Sequence, residues 1–234
     1  MSLFRITHTD FEQRFNFTQF DTEHTEEWSD VSRLQEESWI ARYEYEASII
    51  QSIIQDNPNI KSVLELGSGP GALSQLVLKN NPDLVYHLVD KPFAKKHFDE
   101  MGYKGTFFVK DMSNTFDSSE LLDSYDLVIT NDFLEHVFNP HEIVKTIRHH
   151  THKDSVYLIS NPNWRMSHQF IYRGLFDFDN LVYLLYTHGF EMIGFYGSIL
   201  KTPAYPRISS ETLLPDEHLT DWNHYMLFKH RTDM

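Results

Sequence analysis

Three glycines at alternate positions, Gly67, Gly69 and Gly71, stand between an apolar run, Val63 to Leu66, and a stretch from Ala72 to Lys79 that reads as a helix. A strand that turns through glycines into a helix N-terminus has the chemistry of a nucleotide-cofactor turn. The glycines let the backbone bend sharply and approach a ligand without a Cβ in the way. The helix end adds free N–H groups and a partial positive charge. Dinucleotide sites space their glycines as G-x-G-x-x-G. The spacing here is E-x-G-x-G-x-G, with Glu65 leading.

A second acid lies nineteen positions after Gly71, where the run Leu84 to Val89 ends in Asp90. An acid at that distance, at the C-terminal end of the next strand, is placed to accept from both hydroxyls of a ribose. A carboxylate suits this task because it only accepts. A third acid, Asp111, follows the run Gly105 to Lys110 and precedes Met112; by itself it is equally a turn aspartate before Ser113 and Asn114.

The segment Asn131-Asp-Phe-Leu-Glu-His-Val137 follows a fourth apolar run, Tyr125 to Thr130. In a helix, Asp132, Glu135 and His136 would share one face at i, i+3 and i+4. Such a face binds a divalent ion or places a base, or is simply structural, so the metal question stays open. His168 and Tyr172 are further candidate bases.

The elements that must position these groups follow from periodicity. Ser29 or Asp30 caps a helix running to about Gln55, with Val31, Leu34, Ala41, Tyr45, Ile49 and Ile53 on one face. Strands then alternate with helices: Pro92 to Met101 is a helix stopped by Gly102, a helix from Asn131 continues past Pro140 to about His150, and Ser155 to Ser160 is the fifth strand. This alternation argues for a parallel, doubly wound α/β sheet. Asp177 to His188 reads as a helix, and Phe190 to Phe195 and Tyr225 to Lys229 read as two late strands. Residues 1–29 carry Phe4, Phe11, Phe15, Phe17, Phe20 and Trp28 without a period; they are a tail packed on the domain or a lid.

The totals narrow the function classes. The chain has 234 residues and 41% hydrophobic content, enough for one cored domain. No apolar run is long enough to span a bilayer, and the N-terminus lacks a signal-peptide layout. There is no cysteine, which excludes disulfides, thiolate metal sites and a cysteine nucleophile. A cytoplasmic protein without a membrane partner is expected. The formal net charge of −14 opposes binding of bulk DNA or RNA. The one dense basic stretch, Arg148 to Lys153, is mostly histidine: a metal cluster, or a polar helix end before a strand.

From Val63 to about Ser160 the chain resembles the class I S-adenosylmethionine (SAM) dependent methyltransferases. The resemblance rests on VLELGSGPG, the strands ending in Asp90 and Asp111, and YDLVITNDFLEHV, in that order and at those distances. It implies a Rossmann-like seven-stranded sheet, mostly parallel with an antiparallel last strand, and helices on both faces. It implies SAM as cofactor, S-adenosylhomocysteine as product, and cofactor contacts from Glu65, Gly67, Ser68, Gly69, Gly71, Asp90, Lys91, Asp111, Met112, Asn131 and Asp132. In that family Asp111 would face the adenine amino group and Met112 its ring. D-x-x-E-H at 132–136 is similar to the E-x-x-E-H segment of ubiquinone-type O-methyltransferases, with Asp132 in place of the first glutamate.

One domain over 1–234 is expected: an N-terminal helical or lid extension (1–60), a SAM-binding core (61–160) and an acceptor-binding part (161–234). The expected activity is methyl transfer to an O or N atom of a small-molecule acceptor, with His136 first and His168 second as catalytic base, in a monomer or homodimer. Alternatives are a protein or RNA methyltransferase, a SAM-binding regulator without turnover, and an NAD-dependent oxidoreductase, which the glycine spacing opposes. Cytosine-C5 chemistry is excluded by the missing cysteine. The N/D-P-P-Y/F segment of adenine-N6 and glutamine-N5 enzymes is absent after strand four, and Asn161-Pro162-Asn163-Trp164 follows strand five instead.

Overall fold

A computed structural model describes residues 37–112, 115–162, 178–197, 221 and 223–232. The elements in chain order are α1 (Glu37–Asp56), β1 (Ser62–Leu66), α2 (Ala72–Asn80), β2 (Val85–Asp90), α3 (Pro92–Glu100), β3 (Thr106–Val109), β4 (Tyr125–Asn131), α4 (Pro140–His149), β5 (Thr151–Pro162), α5 (Phe178–Thr187), β6 (Phe190–Gly197) and β7 (Asn223–His230). They build a seven-stranded sheet in the order β3-β2-β1-β4-β5-β7-β6. Strands β1 to β5 pair in parallel. β7 slots between β5 and β6 and runs antiparallel to both.

The strands are apolar on both sides because helices cover both faces. On one face Ile49, Ile50 and Ile53 of α1, Leu73 and Val77 of α2 and Phe98 of α3 meet Val63, Leu88, Leu127, Leu158 and Tyr225. On the other, Ile143, Val144 and Ile147 of α4 and Leu181, Leu184 and Leu185 of α5 meet Leu64, Val89, Val128, Tyr157 and Phe228. The expected α/β architecture, including the antiparallel β7, is therefore the one formed. The start of the first helix, the candidate lid and the loop carrying Pro203, Pro206 and Pro215 lie outside the described residues.

One expected element differs. There is no helix from Asn131 to His150. β4 continues through Asn131, Asp132 adopts a left-handed conformation (φ 44°), and Leu134–His136 form a single 3₁₀ turn. The helix starts only at Pro140, where Asn139 caps it by accepting from the Glu142 N–H at 3.3 Å. Proline at the first helical position cannot donate to a preceding turn, so it begins a helix more readily than it continues one. Asp132, Glu135 and His136 thus do not share a helix face.

Candidate functional site

The carboxyl ends of β1, β2, β4 and β5 converge on one rim with the amino end of β7. In open α/β sheets, ligands bind in the crevice outside such ends. At the β1–β2 part of the rim, Gly67, Gly69 and Gly71 all have positive φ (73°, 52° and 86°). The backbone turns there because Gly67 and Ser68 donate to the Val89 carbonyl, at 3.0 and 3.4 Å. Asp90 then grips the turn from the side. One of its oxygens accepts the Gly69 N–H at 2.6 Å and the other its neighbour Lys91 N–H at 2.6 Å. Burial pushes the Asp90 carboxyl upward, opposed by these two backbone bonds and the Lys91 charge.

The glycines are required for different reasons. A Cβ on Gly67 would sit 2.5 Å from the Phe133 ring, and one on Gly71 would sit 3.0 Å from Leu88 and Phe98. A Cβ on Gly69 would meet nothing within 4 Å. Gly67 and Gly71 therefore allow close packing, whereas Gly69 faces open space, as a cradle for a ligand does. Glu65 lies beneath, on the α1 side of β1, buried and accepting from the Tyr86 hydroxyl at 2.8 Å. Burial pushes its carboxyl up to about 8; the charges of Glu46 and Asp90 add to this and the Tyr86 bond opposes it. Lys91 is half-buried at the end of β2, Asp111 is exposed just past β3, and Met112 is buried in the core beside Val89.

The β4–β5–β7 part of the rim is a buried polar cluster. Arg42 of α1 donates to Glu46 at 2.9 Å and to Asp132 at 2.7 Å. Asp132 also accepts from the Ser160 hydroxyl at 3.0 Å and from the Asn223 amide at 2.7 Å. Glu46 accepts from the Tyr225 hydroxyl at 2.9 Å and from Asn131 at 3.3 Å. Burial raises the Asp132 carboxyl, but the Arg42 charge and the bonds from Asn223, Arg42 and Ser160 outweigh it and hold the group below its ordinary range. Its three partners make Asp132 a structural hub. The left-handed turn they hold carries Phe133 over Gly67.

Glu135 is the opposite case. It is 1% exposed, and neither carboxylate oxygen has a hydrogen-bond partner on another residue. Burial drives its carboxyl well above the ordinary range, and the Asp132 charge adds to the shift. His136 lies beside it, with Nε2 3.9 Å from the nearer Glu135 oxygen, beyond hydrogen-bond distance. His168 and Tyr172 lie outside the described residues. Among the described residues no group of three or more His, Asp or Glu is placed to hold a metal ion. The histidine-rich stretch is indeed the end of α4 and start of β5, with His150 bonded to Leu122 and Ser118.

The sequence therefore leads to Glu65, the glycine turn, Asp90, Asn131, Asp132 and His136, which the fold brings to one rim. It does not lead to Arg42, Glu46, Ser160, Asn161, Asn223 or Tyr225. The Arg42–Glu46 spacing of i, i+4 on α1 is the one local signal for any of these.

Comparison with known proteins agrees with this geometry. A family model described as "Methyltransferase domain" matches residues 38–230. No curated protein matches the chain. Among solved structures, the chain is similar to an S-adenosylmethionine-dependent methyltransferase from Clostridium acetobutylicum, with 12% identity, a TM-score of 0.58, and coverage of 90% of this chain and 98% of that one. It is similar to the CurJ carbon methyltransferase, with 13% identity, a TM-score of 0.59, and coverage of 86% and 58%. It is similar also to an O-methyltransferase family protein from Burkholderia thailandensis, with 15% identity, a TM-score of 0.51, and coverage of 86% and 62%. At these identities the likeness is one of fold.

Proposed function

The chain belongs to the methyltransferase family whose model spans residues 38–230, and from that premise we propose that it transfers a methyl group from SAM to an oxygen or nitrogen of a small-molecule acceptor. S-adenosylhomocysteine is the other product. The observation that carries the reading is the Gly69 cradle: a positive-φ glycine open to the crevice, with its N–H held by the Asp90 carboxylate.

The residues fit the cofactor. Each Asp90 oxygen spends one lone pair on a backbone N–H and retains another for a ribose hydroxyl. Gly67, Ser68 and Gly71 shape the turn, and Lys91 continues it. Asp111 and Met112, at the end of β3, take the adenine amino group and ring. Asn131 and Asp132, across the turn from Gly67, border the methionine end, and Glu65 supports the turn from below. When bound, SAM supplies a methyl group already activated by its sulfonium.

The protein's part is then to align the acceptor in line, exclude water and take up a proton. The β4–β5–β7 rim and residues 161–234 form the acceptor side, where His136 and His168 are the candidate bases. A small acceptor accords with a formal charge of −14, which disfavours RNA.

Calorimetric titration with S-adenosylhomocysteine, run against NAD, tests this. Micromolar binding of the first and none of the second is expected. Binding of NAD alone, or of neither ligand, sinks the proposal.

A further inference from the structure

Tyr43 of α1 stands beside Arg42 but takes no part in the network that Arg42 builds. Its ring is half-buried and packs on the core of the α1 face. Its hydroxyl makes no hydrogen bond among the described residues. Three carboxyl groups are near enough to act on it electrostatically: Glu46, Glu65 and Asp132. Each of these is served by other donors. Glu46 accepts from Arg42, Tyr225 and Asn131, Asp132 from Arg42, Ser160 and Asn223, and Glu65 from Tyr86. Burial drives the Tyr43 hydroxyl far above its ordinary range; the three acids add to the shift and Arg42 opposes it. The phenol therefore stays neutral and keeps a donor O–H.

Helix geometry places this donor above the glycine turn. α1 leads down into β1 and α2 runs down from the turn, so both helices run away from the rim. They are level where the Asn81 amide, just past α2, donates to Gln51 of α1 at 2.8 Å. Tyr43 is eight positions up α1 from Gln51, about 12 Å at the helical rise. Gly71 is ten positions up from Asn81, about 15 Å. Tyr43 is thus within one helical turn of the height of Gly71. The flank agrees. At about 100° per residue, Tyr43 lies about 80° around the helix from Gln51 and about 160° from Tyr45. Tyr45 reaches the other way, to the Gly197 carbonyl at the end of β6 and to the Tyr225 ring, 5.7 Å between centroids. Tyr43 therefore leans from α1 toward α2 and β1. Its electrostatic contacts, with Glu65 on β1 and Asp132 just past β4, place it over the junction of these paired strands.

Resting on the methyltransferase reading above, we propose that Tyr43 is a further cofactor-binding residue, its hydroxyl donating to the carboxylate at the methionine end. The ribose belongs to Asp90 on β2, one strand further from β4. Of the groups at the methionine end, the ammonium only donates and the carboxylate only accepts, so a lone donor at this place selects the carboxylate. The nearby acids are offset: Glu46 and Asp132 both bond Arg42, and Glu65 holds its proton up to about 8.

The test uses Tyr43→Phe in the full chain, which keeps the ring in its packing and removes only the hydroxyl. Calorimetry with S-adenosylhomocysteine is run beside S-adenosyl-3-thiopropylamine, the same thioether without the carboxylate, whose affinity is read by displacement of S-adenosylhomocysteine. The variant is expected to lose at least about tenfold in S-adenosylhomocysteine affinity, as for a hydrogen bond to a charged acceptor, and less than about twofold for the amine. Its unliganded Tm is expected to match the native protein, because the hydroxyl has no partner among the described residues. Unchanged S-adenosylhomocysteine affinity overturns the proposal. So does an equal loss for both ligands, or a lowered unliganded Tm, as a structural hydroxyl would give. Failure of the native protein to bind S-adenosylhomocysteine sinks the cofactor reading and this inference with it, whereas equal losses with native binding intact sink this inference alone.

Discussion

The β1–β2 part of the rim and the β4–β5–β7 part lie at the same end of one sheet but are built differently. At the first, contacts come from near neighbours in sequence: Asp90 reaches Gly69 and Lys91, and Tyr86 reaches Glu65. At the second, Arg42 reaches Asp132 across 90 positions, Asn223 reaches it across 91, and Tyr225 reaches Glu46 across 179. The first part leaves none of the unpartnered buried oxygens, and the second holds all of those among the described residues. A site for a shared cofactor can be written in one contiguous stretch. A polar cluster like the second is assembled from whatever the sheet brings together.

Arg42→Ala breaks the comparison most directly. It removes the one charge that offsets the half-buried Asp132 and the buried Glu46, leaving the first with Ser160 and Asn223 and the second with Tyr225 and Asn131. Removing one partner of a buried pair costs about 3–5 kcal/mol. Urea unfolding is expected to show that loss, with the Asp132 turn and its Phe133 contact loosened. A loss below about 1 kcal/mol would mean the network is dispensable.

Next in size is a contrast within the glycine turn. Gly67→Ala combines a left-handed alanine with a clash on the Phe133 ring, about 2–4 kcal/mol in all. Gly69→Ala has the strain alone, about 1–2 kcal/mol, because its Cβ enters open space. If Gly69 cradles the cofactor as proposed, that Cβ meets it. Gly69→Ala should therefore lose more S-adenosylhomocysteine affinity relative to its stability than Gly67→Ala does. Parallel unfolding and calorimetry decide it, and equal ratios would remove Gly69 from the cofactor site. In the same titration, Asp90→Ala should lose about 1.5–3 kcal/mol of affinity, the range for hydrogen bonds to a charged acceptor.

Legibility follows the same division. VLELGSGPG and Asp90 are readable because a strand, a turn and a helix start impose residue types at fixed offsets. The two-sided apolar strands gave the sheet. Asp132 was found for the wrong reason: helical spacing placed it on a face with Glu135 and His136, but Pro140 starts the helix later and a left-handed turn intervenes. Asn161 falls in the Asn161-Pro162-Asn163-Trp164 segment that is set aside for following strand five, and nothing near Asn223 marks it; the two come together only because β7 slots in antiparallel beside β5.

A different kind of effect, spread over pH, concerns Glu65, which joins the two parts through its electrostatic contact with Glu46. Its carboxyl is held at about 8 in the folded protein, mainly by burial, against an ordinary 4.5. Below pH 4.5 both folded and unfolded chains carry the proton, and the residue is neutral to stability. Between 4.5 and 8 the unfolded chain ionises and the folded one does not, so unfolding releases a proton and stability falls as pH rises. Above 8 both are ionised and the loss is complete. One such group gives a slope of about 1.4 kcal/mol per pH unit. Glu65→Gln keeps an acceptor for Tyr86 and removes the titration, so it should flatten the decline in unfolding free energy between pH 5 and 8 by about that slope. An unchanged slope would mean that Glu65 is ionised in the folded protein, and that the floor of the glycine turn carries a negative charge like the rim beside it.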